Sequence, residues 1–216
     1  MKIHKTKFHI SISLLASFIL WTFALRLIDL QPIGPEDSVV GFATLNAFFH
    51  KLTGVHLVLY TLTDWLSLIP VGICAGFGLL GLFQWISRKA LRCVDFDLLA
   101  LGTFYAVVFA VYASFEVYIV NYRPVLINGI LEASYPSSTT MLVICVMGSA
   151  ILQFQMRINN IRFRKFVTHS SMIYLISMVS LRLLSGVHWM TDIIGGILLS
   201  ISLVMMYASV ITVNEK

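Results

Sequence analysis

Six stretches of about 20 apolar residues punctuate the chain, near 10–28, 65–86, 98–120, 138–156, 166–184 and 190–212. A helix of that length crosses a hydrocarbon core of about 30 Å. The pattern therefore predicts an all-α, polytopic bundle of six transmembrane helices, with residues 1–216 forming a single membrane domain. The first run follows MKIHKTK, which looks like the basic start of a signal peptide. Its apolar stretch is too long for that, and it passes into RLIDLQP without a small-residue cleavage site, so a retained anchor is expected. The long connection is 29–64, where GPEDS predicts a turn and LNAFFHKL a short amphipathic helix lying on the membrane surface.

Composition agrees with the pattern. Of 216 residues, 58% are hydrophobic and 12% charged, which excludes an ordinary soluble domain. Cys74, Cys93 and Cys145 lie in or beside apolar runs with no C-x-x-C spacing, so neither a disulfide framework nor a zinc site is indicated. The net charge of +5 does not call for nucleic acid, because the cations gather at the ends of apolar runs. Lys2, Lys5 and Lys7, the 88–92 and 157–165 connections, and Lys216 all fall on one side of a six-span chain. The positive-inside rule makes that side cytoplasmic, with both termini there. Arg26, Lys51, Arg123 and Arg182 are left for the outer half.

Two outer connections carry the candidate chemistry. NYRPVLINGILEASYPSSTT follows the third run, and RLLSGVHWMTD joins the fifth to the sixth. Pro124 is expected to end the third helix and hold the Arg123 guanidinium at the interface. Pro136 and Ser137 predict a helix start whose free N–H groups, with Ser137 and Ser138, face outward. Two arginines and such a helix start describe a phosphate cradle, since the guanidinium fork matches phosphate oxygens. His188 and Asp192, four residues apart, are expected to share one helix face, with the carboxylate orienting the ring. A histidine so held can attack phosphorus. This chemistry needs no metal or cofactor, and one His with one Asp are too few ligands for a metal site.

R-x5-H-x3-D from Arg182 to Asp192, with Arg123-Pro124 and Pro136-Ser137 upstream, resembles the type 2 phosphatidic acid phosphatases (PAP2), which share a helical core with vanadium haloperoxidases. The resemblance covers about residues 60–212. It implies that His188 is the nucleophile, that Asp192 orients it, and that Arg123 and Arg182 hold the phosphate of a lipid substrate.

The chain departs from that pattern at three positions. Glu116 stands where the family has a lysine, and is expected either to pair with one of the arginines two turns along the same helix or to stay protonated. PSST replaces PSGH, which puts Thr139 in the place of the histidine that protonates the leaving group. Leu181 stands where a serine precedes the arginine. Loss of the acid, worth about 10²–10⁴-fold, favours a leaving group that needs no proton, such as the phosphate of a polyprenyl diphosphate. His50, His56 and Glu132 are candidate replacement acids. Two other functions stay open: a non-catalytic lipid-phosphate binder or transporter, and a phosphotransferase. The substrate lipid and the oligomeric state are not fixed by the sequence. Gly72-x3-Gly76 and Gly195-Gly196 are expected to allow close helix packing, and Asp64-Trp65 to cap the second helix within the aromatic belt.

Overall fold

The computed structural model describes residues 2–213, with side chains over 4–212; Lys216 lies outside the described residues. Among these there are eight α-helices: α1 (Lys2–Leu25), α2 (Ala43–Thr53), α3 (Leu57–Leu66), α4 (Leu68–Arg88), α5 (Phe96–Val117), α6 (Ser138–Arg157), α7 (Ile161–Leu184) and α8 (Met190–Val213). Six stretches are long and apolar enough to cross a membrane, each overlapping one predicted run. The amphipathic helix expected within 29–64 is α2, whose Asn46 bonds the Gly41 carbonyl and the Thr191 hydroxyl, both at 2.9 Å, and so pins the start of α8.

The second crossing begins earlier than its apolar run predicts, at Leu57, and contains a break at Ser67. Pro70 explains the break. It has no N–H to give the Leu66 carbonyl four residues back, and the Tyr174 hydroxyl of α7 takes that carbonyl instead at 2.8 Å. Asp64 therefore lies inside α3 rather than capping a helix start, and Trp65 is 70% exposed.

Burial sorts the bundle into centre and periphery. The α6 span is 67% buried and the α8 span 50%, while the other four are 11–22% buried. The peripheral helices thus turn most of their apolar surface outward, as lipid contact requires. Between helices that lipid solvates equally well, small residues and hydrogen bonds hold the contact. Ser11 and Ser202 each donate to the other's backbone carbonyl at 2.9 Å across α1 and α8. A Cβ at Gly195 would overlap the Tyr135 ring, and one at Gly196 would sit 3.1 Å from the Thr140 side chain, so this pair does admit a close approach. Gly72 and Gly76 do not: a Cβ at either meets nothing within 4 Å, because that face of α4 has no helix against it.

At the end of the bundle away from Ser138 and His188, a polar cluster ties α4, α5, α6 and α8. Gln84 and Arg88 each donate to Asp95 at 2.8 Å, Arg157 pairs with both Asp95 and Asp97, and Gln153 donates to the Tyr207 hydroxyl at 2.6 Å. The hydrogen bonds from Arg88 and then Gln84 hold the Asp95 carboxyl down at about 2.

Candidate active site

Helix α5 stops at Val117, six residues before Arg123, so Pro124 is not what ends it. The intervening chain turns back on itself. Arg123 N donates to Glu132 O at 3.1 Å and Ser134 N to Asn121 O at 2.9 Å, with Tyr122 bridged to Ala133. The tip is Asn128-Gly129, both at positive φ (52° and 77°), the backbone that a tight two-residue hairpin needs. Side chains two apart on such a ribbon share a face. Asn121, Arg123, Glu132 and Ser134 accordingly meet at one place.

His188 faces that place from the turn between α7 and α8, not from the helix itself. The turn is closed by Gly186 at φ +67°, where any Cβ would overlap the Gly54 carbonyl. His56 N donates to Ser185 O at 2.9 Å from the same connection. His188 is 3% exposed, and its ring is bonded at both nitrogens: Nδ1 to Ser134 Oγ at 2.9 Å and Nε2 to Arg123 Nη1 at 3.3 Å. Asp192 does not touch the ring. It accepts from Ser134 Oγ at 2.5 Å, from the Trp189 amide at 3.0 Å and from Asn121 Nδ2 at 3.2 Å. The direct His188–Asp192 contact expected from their spacing is thus replaced by a hydroxyl between them.

Counting protons fixes the tautomer. The single Ser134 hydroxyl proton goes to the Asp192 carboxylate, so Ser134 Oγ can only accept from the ring, and Nδ1 carries a hydrogen. Arginine can only donate, so Nε2 presents its lone pair to Arg123. Burial first, and then the charges of Arg123 and Arg182, hold the imidazole well below the usual histidine range. The ring is neutral, with the lone pair of Nε2 on the cationic side.

Arg182, 2% exposed in the last turn of α7, is gripped by α3. Tyr60, Thr63 and Asp64 share one face of that helix by their i, i+3, i+4 spacing. Arg182 Nη1 donates to Thr63 Oγ1 at 3.0 Å and Asp64 Oδ1 at 2.9 Å, and its Cζ lies 4.6 Å from the Tyr60 ring centre. Arg123 faces the same ring at 5.9 Å, so one tyrosine carries both guanidinium groups. Arg182 Nε is buried with no hydrogen-bond partner among the described residues.

The remaining expected residues divide. Ser137 caps α6, accepting from the Thr140 amide at 3.5 Å and its hydroxyl at 3.1 Å, and is fully buried. Its side chain is thereby committed within the helix, and Ser138 is the hydroxyl that faces open space. Ser138 lines a narrow cleft with His188, Ser134, Tyr112 and Glu116, and also a cavity of about 420 Å³ bounded by Tyr105, Phe109, Met141 and Val146. Thr139 borders that second, largely apolar cavity. Glu116 forms no ion pair with either arginine among the described residues; Glu132 pairs with Arg123 instead, its Oε2 3.0 Å from Nε but off the line of that N–H. Of the three replacement acids, Glu132 touches a site residue, His56 Nε2 is bonded to the Thr53 carbonyl, and His50 packs 5.5 Å from the Trp189 ring.

Tyr60, Thr63, Asn121 and Ser134 were not foreseen. The Asn-Gly pair in LINGIL is a hairpin signal that would have brought Asn121 and Ser134 together. Tyr60 and Thr63 sit in YTLTD, which reads as helix only once Pro70 is seen as a break within a longer crossing.

No family model and no curated protein sequence matches the chain. Its structure is similar to the crystal structure of a transmembrane PAP2-type phosphatidylglycerolphosphate phosphatase from Bacillus subtilis, with a TM-score of 0.55 and 19% identity, over 95% of this chain and 97% of that one. At that identity the likeness is one of fold. The chain is a multi-pass membrane protein with the helical architecture of that phosphatase.

Proposed function

We propose that this PAP2-like membrane bundle hydrolyses a lipid phosphate or diphosphate through a phosphohistidine on His188. The observation that carries the reading is the bonding of the ring, Nδ1 to the Ser134 hydroxyl and Nε2 to a buried arginine, which calls for a hydrogen on Nδ1 and a lone pair on Nε2. In the resting arrangement Arg123 occupies that lone pair. An arriving phosphoryl group offers Arg123 oxygens of full negative charge, a stronger acceptor than imidazole, and moving to them uncovers Nε2. Arg182 Nε and the amide end of α6 complete the cradle.

Nε2 then attacks phosphorus, and the Nε2–P bond forms as the bond to the leaving oxygen breaks. The ring gains positive charge, which the carboxylate of Asp192 balances. Water next attacks the phosphorus, the Nε2–P bond breaks with its electron pair returning to nitrogen, and inorganic phosphate leaves carrying both protons of the water on its oxygens. The donors of the cradle stabilise the phosphoryl oxygens throughout.

The substrate preference follows from what stands beside the leaving group. Thr139 cannot protonate it, and a lipid phosphate leaves as a far weaker base than a lipid alkoxide. A polyprenyl diphosphate is therefore the favoured substrate. The apolar cavity of about 420 Å³ adjoining the cleft through Tyr112, Ser138 and Met141 gives the first part of its chain a place within the membrane. The cation distribution supports a site on the extracytoplasmic face.

Purified protein given polyprenyl diphosphate and phosphatidic acid separately should release phosphate faster from the diphosphate. Vanadate should inhibit and H188A should abolish release. Lipid binding with no release from either substrate would replace the enzyme with a binder; label passed to an added acceptor alcohol would make it a transferase.

A further inference from the structure

We infer that Ser134 is the positioning residue through which Asp192 acts on His188. The hydroxyl stands between them at 2.9 Å from Nδ1 and 2.5 Å from Oδ2, and no shorter route from carboxylate to ring exists among the described side chains. Its surroundings allow it one orientation. Asp192 Oδ2 already accepts from the Trp189 amide, and Oδ1 from Asn121, so three donors converge on the carboxylate and the serine proton has one acceptor to choose. Ser134 is 2% exposed, which keeps water from taking the place of either bond. The ribbon fixes it from behind, through Ser134 N to Asn121 O at 2.9 Å. Asn121 thus holds the serine by its backbone and the aspartate by its side chain.

The consequence is directional. With Ser134 in place, the ring is compelled to carry its hydrogen on Nδ1 and to keep Nε2 bare. Remove the hydroxyl, and the ring keeps only its hydrogen bond to the Ser134 backbone on that side, while its link to the Asp192 carboxylate is cut. The other tautomer is then opposed only by that backbone contact and by Arg123, whose donor would have to move aside, and no longer by the carboxylate. Asp192 without Ser134 has no hold on the ring, and Ser134 without Asp192 has no preferred direction. The two act as one unit, and their losses are not additive.

The kinetic part of this rests on the phosphohistidine reading; the tautomer does not. The full chain is labelled with ¹⁵N-histidine in detergent, and His188 is identified by the signals that H188A removes. Wild type should show hydrogen on Nδ1 and a bare Nε2, and in S134A that preference should weaken, with the Nε2-protonated form rising. A wild-type ring with hydrogen on Nε2, or an S134A ring unchanged, overturns the inference whether or not the protein turns over any lipid. In turnover, S134A should lower kcat by about tenfold to a hundredfold, the loss expected for a hydrogen bond to a group that becomes charged. KM should stay within about threefold, since the phosphate contacts remain. S134A/D192N should be within about threefold of D192N alone. Losses that multiply would mean the serine and the aspartate act independently, and the inference fails.

Discussion

At the scale of single residues the site is a balance of buried charge. His188 is kept neutral by burial and by two arginines, so its protonation is disfavoured and the unprotonated ring survives to lower pH than an ordinary imidazole. The acid limb of kcat/KM should therefore fall below the usual histidine value of about 6.5. Removing a neighbouring cation relaxes the depression, and R123M should move that limb to higher pH while raising KM. A limb that stays in place would show that Arg123 does not act on the ring. Glu132 lies against the Nε edge of Arg123, an edge that a phosphate would use. E132Q should tighten vanadate inhibition by about two- to fivefold at low salt, in line with a partly exposed ion pair. Weaker inhibition would assign Glu132 to binding instead. Arg182, His188 and Asp192 were legible as neighbours because one short turn joins α7 to α8, whereas Arg123 was marked only by the proline after it. Ser134 and Asn121 were not legible, because a ribbon of backbone hydrogen bonds brings them in, and the apolar periodicity used to place helices is silent about it.

At the scale of elements, the path of α5 explains why Glu116 does not meet an arginine. A shared helix face for Glu116 and Arg123 requires the helix to continue up to Pro124. The backbone of 121–123 instead bonds to 132–134, so the helix ends at Val117 and the register is lost. Glycine pairs show the same limit. Gly72-x3-Gly76 and Gly195-Gly196 look alike in sequence, yet only the second has a helix and a ring against it. G195A forces the Tyr135 ring to move and should destabilise the fold by about 1–3 kcal/mol as an overpacking change, whereas G76A should leave thermal stability in detergent unchanged or raised. Equal effects at the two sites would contradict the packing described. The number and placement of spans were readable because membrane thickness dictates apolar length. The early start of the second crossing was not, because Thr61, Thr63 and Asp64 dilute its apolar character where α3 turns inward to grip Arg182.

For the whole molecule, the fold sets α6 and α8 at the centre and lets the loops of one end converge on their beginnings. Both contribute their N-terminal ends to the site, and the opposite end is closed by the Asp95–Arg157 cluster. The cation distribution predicts an extracytoplasmic site, and thiol labelling checks it. A cysteine placed at Gly129, the exposed tip of the ribbon, should react with an impermeant thiol reagent on intact cells, while the exposed native Cys93 should react only after lysis. The reverse pattern would put the site on the cytoplasmic side.

The most direct measurement is to quench purified protein during turnover of a lipid diphosphate carrying ³²P in its terminal phosphate. The proposed mechanism requires acid-labile, base-stable label on His188, lost with excess unlabelled substrate and missing from H188A. Steady phosphate release with no label on that residue, or release undiminished in H188A, would contradict it.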